Sequence, residues 1–112
     1  YGLHLFFDER EFVDVLTLEL LPTGKLVGHM SVPRDFEADI ENVKYRRGDG
    51  DSGAVPPRIA FDLRVPKNAA RPREMIFHYE GEFFDRNLRQ LSGFVTTNTV
   101  EFVASYVAFL RD

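Results

Sequence analysis

A chain of 112 residues with a net charge of −4 is one domain, spanning residues 1–112, and is a poor match to nucleic acid. With no Cys it has no disulfide, no thiolate nucleophile and no Cys-ligated zinc. A hydrophobic share of 44% and a charged share of 29% argue against disorder, and no stretch nears the roughly 20 apolar residues that span a bilayer.

Period-two alternation recurs along the chain and predicts half-buried strands. The first is Leu3 to Phe7. Leu16, Leu18 and Leu20 alternate with Thr17 and Glu19. The turn Leu21-Pro22-Thr23-Gly24-Lys25 follows, and then Leu26, Gly28, Met30 and Val32, which makes a hairpin. After Pro33 a strand runs from Phe36 through Ile40 to Tyr45. Ile59 to Val65 and Met75 to Phe83 are the next two, then Leu91 to Val95. Residues 98–110 fit either a helical stripe or a strand face, and their β-branched and aromatic content favours strand. The segments 46–57 and 66–73, rich in Gly, Asp, Ser and Pro, read as hairpin loops. Gly28, Gly81 and Gly93 fall inside strands, where glycine marks a tight corner or a close backbone approach.

Eight short antiparallel strands predict an all-β, eight-stranded up-and-down barrel, with a two-sheet β-sandwich as the alternative. Its inward row is read as Leu16, Leu18, Met30, Ile40, Phe61, Leu63, Phe77, Tyr79, Leu91 and Phe102. The spacing of Gly24, Leu26, Gly28, Ile59, Phe61, Tyr79, Gly81, Leu91, Gly93, Phe102 and Ala104 resembles that of calycin-type barrels, the lipocalin and avidin group. The likeness covers roughly residues 12 to 110, and the nearest style is that of small bacterial barrel domains of unassigned function. The resemblance implies the fold alone: without Trp there is neither a lipocalin Gly-x-Trp signature nor a Trp-lined biotin pocket.

Candidate chemistry is sparse. Gly50-Asp51-Ser52-Gly53 resembles the nucleophile loop of chymotrypsin-like proteases, but Val55-Pro56-Pro57 stands where an oxyanion turn belongs. Arg47-Gly48-Asp49 is the integrin tripeptide, and Asp49-x-Asp51 lacks the closing Glu of a calcium loop, since position 60 is Ala60. His4, His29 and His78 have no metal-ligand spacing and are expected on the outer face. Asp62 with Arg64, and His78 with Glu80 and Glu82, read as charge pairing on a wet surface. No catalytic residue, metal ligand or cofactor motif is assigned.

Two functions remain. The first is a non-enzymatic barrel that holds a small apolar ligand among Met30, Phe61, Met75, Phe77 and Tyr79. The second is an assembly module. The apolar surplus at Phe83, Phe84, Val103, Val107 and Phe109 predicts a homodimer through the barrel wall built by the last strands. A barrel enzyme using a buried acid is a third reading, resting on fold analogy. The chain starts at Tyr1 rather than Met, which reads as a processed or trimmed product and leaves localisation open.

Overall fold

A computed structural model describes residues 1–7, 10–46, 56–68, 71–84, 88–97 and 103–110, the side chains of Phe7 and Val103 excepted. The motifs at residues 47–53, with Phe102, lie outside the described residues. Among the described residues nine strands form one antiparallel sheet: β1 (Gly2–Phe7), β2 (Arg10–Leu20), β3 (Leu26–Val32), β4 (Phe36–Asp39), β5 (Glu41–Arg46), β6 (Arg58–Val65), β7 (Met75–Phe83), β8 (Gln90–Thr97) and β9 (Val103–Phe109). Their order is β4-β3-β2-β1-β9-β8-β7-β6-β5, so each strand pairs with the next in sequence except β4 and β5, which are the two edges, and the first pairs with the last. The ambiguous C-terminal segment is strand.

There is one more strand than the alternation predicts. The run from Phe36 to Tyr45 breaks in two at Ile40. The Ile40 amide still donates to the Gly28 carbonyl at 3.0 Å, on the β3 side. Asn42 then takes φ of 51°, and pairing with β6 slips between Glu41 and Lys44. The bend hands one stretch of chain from β3 to β6. β4 packs on β6 and β3 on β5 across the remaining seam, which brings the sheet close to a closed barrel. β2 begins at Arg10, well ahead of Leu16, because its first half pairs with β1 from Val15 back to Arg10.

Inward side chains fill the middle of the barrel. Leu3, Leu16, Met30, Phe61, Leu63, Tyr79, Leu91 and Val95 are among the most deeply buried. Of the expected inward row, Leu18 and Phe77 are half-buried and the other described members are buried. One end is plugged by Tyr1, Tyr45 and Phe83, whose rings lie 6.3 Å apart in both Tyr1–Phe83 and Tyr45–Phe83. The Tyr1 hydroxyl donates to the Leu88 carbonyl there, and the Tyr1 ammonium donates to the Leu16 carbonyl at 2.7 Å.

Gly81 and Gly93 sit opposite each other on β7 and β8, and Gly93 opposes Tyr106 on β9. A Cβ at Gly93 would fall 1.8 Å from the Glu80 carbonyl oxygen, and one at Gly81 would fall 2.3 Å from the Tyr106 hydroxyl. The missing side chain at Gly81 leaves room for the Tyr106 hydroxyl, and the one at Gly93 lets the β8 backbone lie close against β7. Gly93→Ala is therefore expected to lower the unfolding free energy by more than about 2 kcal/mol in urea titrations. Gly24→Ala should cost only about 1 kcal/mol, because a Cβ at Gly24 meets nothing within 4 Å and only its φ of 88° is strained.

Candidate functional site

The five residues expected to line a ligand site all face the interior, at two levels. Phe61 and Tyr79 pair across β6 and β7. Their rings stack with centroids 4.8 Å apart and planes 10° from parallel. Met30 is fully buried in the same core. Met75 and Phe77, nearer one end, are half-buried. Tyr106 stands edge-on to Tyr79 at 5.6 Å, and its buried hydroxyl has no hydrogen-bond partner among the described residues. Burial raises both phenols above their ordinary range, and a stacked pair at this spacing adds about 1 kcal/mol beyond its buried area.

A charged group also faces inward. Asp14 shares its side of β2 with Leu16 and Leu18, and it is 6% exposed. Burial, and after it the charge of Asp35, push its carboxyl up to about 6. No hydrogen bond or ion pair to that carboxyl is found among the described residues. Asp14 lies next to the barrel end crossed by a clasp of two loops. There Arg71, from the β6–β7 loop, donates from both terminal nitrogens to Asp35 in the β3–β4 turn, each at 2.8 Å. Asn68 also donates to Asp35, at 3.2 Å, and the Arg71 guanidinium sits 5.6 Å over the Phe36 ring. The hydrogen bond from Arg71 holds the Asp35 carboxyl below the usual range.

The outer wall carries the apolar surplus. On β1, β8 and β9, Phe6, Phe94 and Phe109 are exposed and Val107 is half-buried, with exposed Val13 alongside on β2. Phe94 and Phe6 flank Ser105 in register. Phe109 lies against the His4 ring at 6.0 Å. Next to Phe94 is a groove of about 530 Å³ whose floor is Gly81, Gly93, Ser92 and Ser105 and whose rim carries Glu80, Glu82 and Arg58. A second groove of about 320 Å³ continues over Lys44, Arg46 and Ala60. The ligand residues named above line neither groove.

The predicted interface residues divide accordingly. Phe84, Val107 and Phe109 face outward, and Phe84 is 78% exposed. Phe83 does not: it is 2% exposed and continues the inward row of Tyr79 and Gly81, because neighbours on a strand point to opposite faces. The Val103 side chain lies outside the described residues. All three histidines are on the outer face, as expected, and each pairs with a carboxylate on a neighbouring strand. The distances are 2.5 Å for His4–Glu11, 3.1 Å for His29–Asp39 and 2.5 Å for His78–Asp62. Burial tends to raise the Asp62 carboxyl, but hydrogen bonds from Asn42 and His78 leave it below the usual range. Alternation exposes Phe6 and Phe94 as outward residues, but it passes over Asp14, whose neighbours Val13 and Val15 suggest the opposite face.

No protein-family model matches this chain, and neither a curated protein nor a solved structure is significantly similar to it.

Asp14 gives the core a measurable pH dependence. Its folded pKa, about 6, lies above the ordinary carboxyl value of 3.8, so the folded state holds the proton more tightly than the unfolded chain. The stability this contributes is complete below the unfolded value and is lost as pH rises through the folded one. Asp14→Asn is expected to be more stable than the parent at pH 8 by about 1–2 kcal/mol, solvent screening of a partly buried carboxyl reducing the full effect. That gap should narrow as pH falls below 6, read as the difference between the two proteins in urea titrations at each pH.

Proposed function

We propose that this barrel is a non-enzymatic assembly module and that its outer wall meets a second copy of the same chain. The carrying observation is the row of Phe6, Phe94, Val107 and Phe109, an apolar strip on the water side of a barrel whose middle is already filled. Burying one exposed phenylalanine is worth roughly 2 kcal/mol, and a contiguous strip concentrates that gain in one place.

A second copy suits this wall because knob and hole lie side by side. Phe94 projects beside a groove lined by glycine and serine. A two-fold axis sets each copy's patch against the same patch of the other, so Phe94 of each can enter the groove of its partner. Glu80, Glu82 and Arg58 on the rim supply both signs of charge for the periphery, as interfaces with an apolar centre and a polar edge require. A relationship to calycin-type barrels belongs to the same proposal, and the antiparallel meander in which β1 also pairs with β9 supports it.

Light scattering coupled to size exclusion tests this reading. The chain of 12.9 kDa is expected to run at about twice its monomer mass. Phe94→Glu should run as a folded monomer with an unchanged far-UV circular dichroism spectrum, because that side chain is 63% exposed in the single chain. A parent protein that stays monomeric at every concentration tested would overturn the proposal.

A further inference from the structure

One line of the wall is held differently from the rest. Among the described residues a backbone ladder joins each strand to its neighbours in the sheet, and none joins the two edges. There β4 packs on β6 and β3 on β5 without pairing. The ladder of β6 with β5 stops at Asp62, so Leu63 to Val65 are paired with β7 alone. On the facing side the Ile40 amide points to β3. Alternation along an antiparallel strand then turns the Asp39 and Glu37 amides the other way, into the seam. This line still covers core: Leu63 and Val65 are 1% and 2% exposed.

Side chains close the seam. Asp35 lies in the turn that leads into β4, while Asn68 and Arg71 belong to the β6–β7 loop. The Arg71 fork donates twice to Asp35, each at 2.8 Å, and Asn68 donates to it at 3.2 Å. The Arg71 and Asp35 side chains are only 23% and 25% exposed, and the guanidinium also lies over the Phe36 ring. A bidentate pair shielded to this degree is stronger than the usual surface ion pair. Arg71 is also held by its own loop. Its Nε donates to the Pro66 carbonyl at 3.2 Å, and its backbone exchanges hydrogen bonds with Asn68 at 2.8 and 3.1 Å. A fork fixed in this way loses little freedom on meeting Asp35.

We infer that the seam is the line along which the barrel opens, and that the Arg71–Asp35 pair is the latch that keeps it shut. Parting the wall elsewhere breaks a ladder of backbone hydrogen bonds. Parting it here breaks the latch and the contact of β4 with β6. The open state lets water reach the inner face of β6 while β7, β8 and β9 stay paired. The seam lies away from the apolar face of β1, β9 and β8, so the opening is the same in one copy or two.

The chain has no Cys, so a single introduced thiol reports opening by its rate of alkylation. Val65→Cys places that thiol beside the seam, and Val95→Cys places it on β8, away from it; both valines are buried. With iodoacetamide, Val65→Cys is expected to react about tenfold faster than Val95→Cys or more. Its rate should rise only weakly with urea, because a local opening exposes little surface. Val95→Cys should react through global unfolding, with a steep dependence on urea. Adding Arg71→Met to Val65→Cys should raise the rate about tenfold and leave its weak urea dependence unchanged. Equal labelling of the two thiols with the same steep urea dependence would overturn the opening seam. A rate unchanged by Arg71→Met would overturn the latch.

Discussion

The stack of Phe61 on Tyr79, with Tyr106 edge-on to it, sets the cross-section of the barrel. Three aromatic rings at one level leave little room for anything else, and the wall adjusts to them rather than the reverse. Gly81 and Gly93 are the adjustment: with no Cβ at Gly81 the Tyr106 hydroxyl fits against β7, and with none at Gly93 the backbones of β7 and β8 come close together. A barrel of this strand number holds about one layer of side chains or one small ligand across its width. Once that layer is aromatic, further large apolar residues have no place inside. Phe6, Phe94 and Phe109 are where the excess appears.

The same limit makes the closing bend necessary. Strands that curl around a filled centre must end somewhere, and a bare edge invites pairing with other chains. Here the break at Ile40 and the left-handed backbone of Asn42 turn one strand into two and carry the chain from β3 to β6. The two edges, β4 and β5, flank one seam, and the apolar surplus lies away from it, on the face of β1, β9 and β8.

Much of this could be read from alternation alone. Strand positions, the all-β class and most of the inward row follow from period two, since each of those strands has one clearly apolar face. Alternation is uninformative where both faces are apolar. The Phe83-Phe84 pair shows this: the sequence marks both as candidates for the surface, whereas the geometry of a strand places one inside. Asp14 is the converse case. It lies in a run where the outward positions Val13 and Val15 are apolar and the inward one is acidic, so the usual sign of the pattern is reversed. Its parity with Leu16 and Leu18 and its burial show that it faces inward. The bend at Ile40 has no periodic signature, because the apolar spacing runs through it without a break.

Interior and wall therefore make separate demands on the phenylalanines, and fluorine NMR of the chain labelled with fluorophenylalanine measures the division directly. Over a dilution series the resonances of Phe6, Phe94 and Phe109 should shift with concentration, while those of Phe61 and Phe83 stay fixed. Concentration-independent spectra for the outer three would contradict the account, as would shifts shared equally by the buried rings.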